Sequence, residues 1–253
     1  MLTMSQEEAL ERAQDIAFDA MEATTPAARL RLAKLALKES EFCADAWLIL
    51  AESESSGSDA ELGTLRRAVA GGESALGPQT FEDDVGLFWG LLETRPYMRA
   101  RLALAQALWD RGYQLEAIDN ARDLLRLNPN DNQGVRYLLA SWLAAHGDAV
   151  GLRALIADYE NDDSPFMTWP TVLSAFREQG GDEIARAALD AALASNKHVV
   201  GLLLGKKRLP SRRPAYYSPG EVSEAVIYVQ DFKDTWHATE GALDWLRLTT
   251  TAA

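Results

Sequence analysis

Apolar side chains recur at intervals of three and four residues along most of the chain, which is the spacing of helices with one buried face. The clearest segment is residues 98–131. Its first helix carries a large residue next to a small one. A glycine turn comes next, and then a small residue on a second helix and a proline. These positions are Leu104, Ala105, Gly112, Ala117 and Pro129. Their order predicts two helices joined by a tight turn.

The same order of residues returns twice downstream. Residues 133–164 carry it in a degenerate form, at Leu139, Ala140, Leu143, Gly147 and Leu152. Residues 166–199 keep the aromatic positions, at Trp169, Val172, Leu173, Phe176, Gly180, Gly181, Ala185 and Ala192. A small residue at a helix crossing lets the two axes approach to about 8–10 Å. A period near 34 residues is typical of stacked hairpins, so the pattern predicts an all-α fold: a right-handed α-solenoid with three central helix-turn-helix repeats over residues 94–199.

Outside these repeats the pattern predicts irregular ends of one domain, 1–253. Residues 5–70 are expected to form N-terminal helices and a degenerate repeat, at 5–23, 26–39, 45–54 and 59–69. Ser5 and Glu8 have the spacing of a capping box, and Pro26 suits a first helical turn. Residues 71–93 are expected to form a surface connection, 71–82, and a short helix, 85–92. Residues 200–250 are expected to form an irregular C-terminal repeat that includes an insertion and a capping helix, with helices at 199–205, 220–233 and 235–248.

The composition agrees with a helical protein. The chain has 253 residues, of which 47% are hydrophobic, enough to bury a substantial core. Alanine, leucine, glutamate and arginine recur throughout, and these residues favour helices by intrinsic propensity.

The net charge limits the kinds of molecule that we expect the protein to bind. The formal net charge is −13, although residues 198–253 hold 7 basic and 6 acidic side chains. An acidic body repels phosphate backbones and anionic membrane surfaces, so we expect neither nucleic-acid nor membrane binding. The first twenty residues lack the features of a secretory signal, and no stretch has the length of a membrane span. Cys43 is the only cysteine, which fits a reducing compartment. We therefore expect a cytoplasmic protein.

Two sets of residues carry a family resemblance. The repeat spacing, the run 93–101 (ETRPYMRAR) and the run 127–132 (LNPNDN) are similar to bacterial tetratricopeptide proteins of no established activity. The C-terminal segment resembles the suppressor of tumorigenicity 7 family at Asn196, His198, Val199, Leu203, Leu204, Leu209, Pro210, Gly220, Glu224, Ala225, Tyr228, Trp236, Glu240, Gly241, Ala242 and Leu243. These resemblances imply helical repeats and no particular chemistry. Membrane-spanning segments of the eukaryotic members have no counterpart in this chain and are not carried over.

The tetratricopeptide resemblance implies that the first helix of each hairpin lines a concave groove. It maps that groove onto Arg99, Gln106, Trp109, Asp110, Tyr137, Ser141 and Arg177. Aromatic and arginine side chains commonly anchor interfaces, so these residues are candidates for binding a peptide or a partner's helix. The alternative is that Trp109 and Tyr137 pack between hairpins while the charged residues are merely solvated.

A second candidate surface is the only basic concentration in this acidic chain. It comprises Lys206, Lys207, Arg208, Arg212 and Arg213, interleaved with prolines and tyrosines. This basic insertion is a candidate contact for an acidic partner. The alternative is a solvated loop that balances the acidic body.

Motifs for chemistry are missing from the sequence. His146, His198 and His237 have no partner at metal-ligand spacing, and no nucleophile-elbow string occurs. The cluster of Glu93, Arg95, Arg99 and Arg101 suits either anion binding or a lattice of salt bridges. We therefore expect a non-enzymatic interaction scaffold without metal or cofactor. A structural subunit or self-associating oligomer is the alternative, and an enzyme that uses the cluster at 93–101 is a remote one.

Overall fold

A computed structural model describes residues 2–251 and confirms the all-α class. Within that range the chain forms thirteen α-helices and no strand. The helices are α1 (Met4–Glu22), α2 (Pro26–Glu39), α3 (Ala44–Ala51), α4 (Asp59–Asp83), α5 (Arg95–Asp110), α6 (Gln114–Leu127), α7 (Val135–His146), α8 (Ala149–Asp158), α9 (Pro165–Gln179), α10 (Glu183–Ser195), α11 (His198–Leu203), α12 (Val222–Ala238) and α13 (Ala242–Thr251). They fall into two compact units, Met1–Val135 and Arg136–Ala253. The boundary lies inside the span predicted for the central repeats.

Unit 1 is built from helices that pack against their neighbours in sequence, α2 against α3 and α4 against α5 included. Helix α1 packs against α2, α3 against α4, and α5 against α6, while α3 also contacts both α1 and α5. Small residues line these contacts, including a buried cluster at Ala13, Ala17, Ala36, Cys43 and Ala46. Because alanine keeps helix axes close, the alanine-rich pattern of the sequence becomes the inter-helix core.

The start of the chain shows a small shift from the expected capping. The capping box is formed by Thr3 and Gln6 instead of Ser5 and Glu8. The Thr3 backbone amide donates to Gln6 Oε1 at 2.9 Å, and the Gln6 amide donates to Thr3 Oγ1 at 3.4 Å. Helix α2 begins at Pro26, as expected, with Thr25 as its N-cap.

The connection predicted at residues 71–82 is wrong, because α4 runs on to Asp83. Gly71 and Gly72 are buried in this helix, where a Cβ atom would come within 3.1 Å of the Glu41 carbonyl oxygen and of Tyr97 Cβ, respectively. These glycines therefore mark close helix approach, and the chain bends only at Gly77, whose φ is +73°. The short helix expected at 85–92 is instead a series of turns, in which the Phe88 amide donates to the Leu127 carbonyl at 3.2 Å.

Unit 2 has an aromatic core. Helix α9 contacts α8, α10 and α12, and α12 also packs against α11 and α13. Trp169, Tyr228 and Trp236 are fully buried, and Trp236 Nε1 donates to the Tyr228 hydroxyl at 2.9 Å. Burial raises the pKa of Tyr228 far above its usual value. The aromatic rings therefore replace the alanine contacts of unit 1.

The C-terminal helix boundaries differ from those expected. Helix α12 is continuous from Val222 to Ala238, and the break comes at Gly241, which adopts a φ of +74° before α13. Residues 204–221 contain no helix and connect α11 to α12. This long connection carries the basic insertion.

Candidate interaction sites

The predicted groove residues of unit 1 lie along α5 in two different environments. Arg99, near the start of the helix, donates from Nε to Asp45 Oδ1 at 2.9 Å and from Nη2 to Asp45 Oδ2 at 2.6 Å. The Asp45 side chain is completely buried. Arg99 therefore holds a buried carboxylate within its own chain.

The other end of α5 is open to solvent. Gln106 and Asp110 are exposed and line a shallow cavity of about 340 Å³ together with Glu52 and Glu61, while Trp109 is half-buried. The charged side chains that line this cavity are acidic, so it offers no site for an anion.

The predicted groove residues of unit 2 make intramolecular hydrogen bonds. The Tyr137 hydroxyl donates to Asp162 Oδ2 at 2.9 Å, and the pKa of Tyr137 rises to about 12, mainly because the ring is buried. Ser141 Oγ donates to the Asp231 carbonyl at 3.3 Å. Arg177 Nε donates to Thr239 Oγ1 at 2.9 Å, and its other nitrogen contacts the Ala144 carbonyl. Their proposed contact with a partner stays a prediction.

The basic insertion contributes to a larger concave surface in unit 2, which we call the basic cavity. This cavity has a volume of about 500 Å³. Its basic lining residues come from three separate segments: Lys207 and Arg208 from the connection after α11, Lys233 and His237 from α12, and Arg247 from α13. Its floor is apolar and includes Leu202, Leu203, Leu204, Leu209, Val229 and Leu243.

The charge of the basic cavity is largely uncompensated. No carboxylate lines it, and Lys207, Arg208, Lys233 and His237 form no ion pair with any described residue. Only Arg247 has an acidic partner, with Nη1 2.8 Å from Asp244 Oδ1. In a chain of net charge −13, this arrangement concentrates positive potential over an apolar surface.

The rest of the basic insertion lies away from the cavity lining. Lys206 and Arg212 are exposed and do not line it. Arg213 pairs with Asp231, with Nη2 2.9 Å from Oδ2, and the hydrogen bonds that Arg213 donates to this carboxylate raise the pKa of Arg213. The five predicted basic residues thus divide into two that line the cavity and three that do not.

Three lining residues were missed in the sequence. Lys233 and His237 are one helical turn apart on α12, and Arg247 lies ten residues further on. The spacing of Lys233 and His237 was the available signal, since residues four apart share a helix face. Their association with Lys207 and Arg208 depends on the packing of α11 and α13 against α12.

The arginines of the cluster predicted around Tyr97 bind to groups of the same chain. Arg101 pairs with Asp123 and donates from Nε to Asn120 Oδ1 at 3.1 Å. Arg95 donates from Nε to the Trp89 carbonyl at 2.9 Å. Arg99 and Arg101 thus form ion pairs within the chain, and Arg95 has a carbonyl acceptor, which favours an intramolecular role for the three arginines over an anion site.

Residues 2–251 contain neither a metal-binding group nor a membrane-spanning helix. No group of three or more histidine, cysteine, aspartate or glutamate side chains in that range could hold a metal ion. None of the helices there is long and apolar enough to cross a membrane. Burial raises the pKa of the Cys43 thiol to about 11, which lowers its reactivity as a nucleophile.

Comparisons with known proteins do not add a family. No protein-family model matches the chain, and no curated protein or solved structure matches it either.

Proposed function

We propose that the protein is a non-enzymatic interaction scaffold whose basic cavity binds an acidic peptide segment of a partner protein. The observation that carries this proposal is the convergence of five basic side chains from three segments on one cavity without a lining carboxylate. A peptide with acidic residues next to a bulky apolar side chain would satisfy both parts of the cavity. The carboxylates would meet the cationic rim, and the apolar side chain would cover the leucine floor.

The helix contacts of unit 1 support the scaffold part of the proposal. Helices α1, α3 and α5 would be the first helices of three successive hairpins, and α3 contacts both of the others. Such nearest-neighbour contact is what a helical-repeat solenoid requires, and solenoids commonly serve as binding surfaces. We extend this arrangement to a tetratricopeptide-like solenoid as part of the same proposal.

The experiment is partner recovery with a matched pair of charge-reversal variants. Tagged wild-type protein, Arg208→Glu/Lys233→Glu and Lys206→Glu/Arg212→Glu are used to recover proteins from a lysate of the native cells. Both double variants change the net charge equally, but only the first alters cavity-lining residues. We expect the wild type and the second variant to recover the same acidic partners and the first variant to lose them.

The result that contradicts the proposal is equal recovery by both variants. Circular dichroism should show the same helix content for all three proteins, since each mutated residue lies at the surface or is half-buried. Light scattering on the free protein is measured in parallel. An oligomer that is dispersed only by Arg208→Glu/Lys233→Glu would identify the partner as a second copy of the chain.

A further inference from the structure

Unit 1 contains a second concave surface, which we call the apolar cleft. Its volume is about 610 Å³, and it is lined by one face of α1, the segment leading into α5, the first turn of α5 and parts of α3 and α4. Its apolar lining includes Leu2, Leu10, Phe18, Phe42, Leu92 and Pro96. It lies at the opposite end of α5 from Gln106 and Asp110, and the only predicted groove residue in its lining is Arg99.

The apolar side chains at the mouth of this cleft remain in water. Phe18 is 49% exposed and Leu92 is 70% exposed. Single exposed hydrophobic residues are normal on a protein surface, but several of them around one concavity are typical of a binding site. The exposure of these two side chains is therefore the first indication of a missing partner.

The charges on the rim indicate the chemistry of that partner. Glu7 and Glu11 lie on one face of α1, about 6 Å apart along the helix axis, and Glu93 also lines the cleft. None of the three forms an ion pair with any described residue. The whole of unit 1 has 13 basic and 23 acidic side chains, which gives it a net charge of −10.

The two arginines in the lining cancel only part of this negative charge. Arg99 is held by the buried Asp45, as described above. Arg95 donates to the Trp89 carbonyl, and its guanidinium carbon lies 5.5 Å from the centre of the Trp89 ring. Both cationic groups are thus directed to partners in the same chain, while the glutamates at the rim are left for a ligand.

We infer that the apolar cleft docks a basic amphipathic helix of a partner protein, an interaction separate from the acidic-peptide site of unit 2. The apolar stripe of such a helix covers Phe18, Leu92 and their neighbours. Lysines or arginines four residues apart on its flank match the spacing of Glu7 and Glu11. The same carboxylates repel an anionic membrane surface. The occupant is therefore a protein helix and not a lipid bilayer.

The test uses a designed probe with a matched control peptide. A fluorescein-labelled 18-residue peptide, with leucines at helical positions i, i+3, i+4 and i+7 and lysines beside them, is titrated with the full chain and followed by anisotropy. A scrambled peptide of the same composition lacks the apolar stripe. We expect the scrambled peptide to bind at least about tenfold more weakly, because it cannot place an apolar stripe against the cleft. Simple attraction to an acidic protein needs no apolar face and would make the two peptides bind equally.

Variants on α1 locate the binding surface. Each exposed ion pair that is lost should weaken binding about threefold, so Glu7→Gln/Glu11→Gln should weaken it about tenfold. Glu8→Gln/Asp15→Asn removes the same charge from exposed positions outside the cleft and should leave the affinity unchanged. Phe18→Ser should weaken binding of the amphipathic peptide and have no effect on the scrambled one.

Three results would overturn the inference. They are equal binding of the two peptides, equal losses in the two charge variants, and an unchanged affinity of the amphipathic peptide for Phe18→Ser. Circular dichroism melts of each variant separate a loss of binding from a loss of fold. Because the cleft belongs to unit 1 and the basic cavity to unit 2, failure here leaves the acidic-peptide proposal untouched.

Discussion

The role of Arg99 can be tested by mutation. The sequence makes Arg99 a candidate for partner binding, whereas in the structure it forms an ion pair with a buried carboxylate. The Asp45 carboxylate is wholly buried and receives three hydrogen bonds. Two come from Arg99, and the third comes from Gln14 Nε2 at 2.7 Å. We predict that Arg99→Ala destabilises the protein, since it leaves a buried carboxylate without its cation.

The size of the effect follows from the burial of the two partners. Removing one member of a fully buried ion pair costs about 3–5 kcal/mol, whereas an exposed pair contributes about 0–1 kcal/mol. The Asp45 side chain is 0% exposed, but that of Arg99 is 35% exposed, so water can enter the space it leaves. We therefore expect a loss of about 2–3 kcal/mol, or about 4–12 °C in Tm for a chain of this size.

The assay is urea unfolding followed by far-UV circular dichroism, with Arg31→Ala as the control. Arg31 is an exposed arginine on α2 that forms no ion pair with a described residue, so its removal should change the free energy of unfolding by less than about 0.5 kcal/mol. The slope of the unfolding transition should be the same in both variants, since neither changes the area exposed on unfolding.

A rescue variant tests the cause of the loss. Asp45→Leu/Arg99→Met replaces the pair by apolar side chains of similar volume and should recover most of the stability, because no charge is then left unpaired. The reasoning is refuted if Arg99→Ala unfolds at the same urea concentration as Arg31→Ala. It is also refuted if the rescue variant is no more stable than Arg99→Ala.

Four further predictions concern single positions, of which Cys43 and Tyr97 are buried. Cys43 should react with a thiol reagent far more slowly in the folded than in the unfolded protein, because burial raises its pKa to about 11. Burial also raises the pKa of Tyr97 to about 12, and its unfolded value is about 10, so the free energy of unfolding should fall as the pH rises from about 10 to 12. Gly181→Ala should destabilise the protein in thermal melts, because the new Cβ would overlap the indole ring of Trp245. Gly63→Ala, in an open and exposed part of α4, should stabilise it by about 0.5–1 kcal/mol.

Helices were predictable from the sequence where one local signal marks each end. The turn at Gly112 and the proline at position 26 are such signals, and the structure ends α5 and begins α2 there. The expectation failed at Gly71 and Gly72, since a pair of glycines normally breaks a helix. Here their missing side chains make room for Glu41 and Tyr97, which are distant in sequence.

Only some residues of the candidate sites were predictable, again because the sites join residues that are distant in sequence. Lys207 and Arg208 stand out as a basic run, but Lys233, His237 and Arg247 are single residues spread along two helices. The pairing of Arg99 with Asp45, 54 positions apart, is equally invisible to any local pattern. Helix packing brings these groups together, and no local pattern in the sequence indicates which helices pack against which.

The long connection at 204–221 has a consequence for how occupancy of the basic cavity can be observed. It is a helix-free segment with five lysines and arginines, so it presents trypsin with cleavable bonds in the kind of loop that proteases prefer. Two of those side chains, Lys207 and Arg208, line the basic cavity. A bound acidic segment would shield the bonds after them while leaving the bond after Arg212 open. The cleavage pattern of the native protein would then act as a footprint of its ligand.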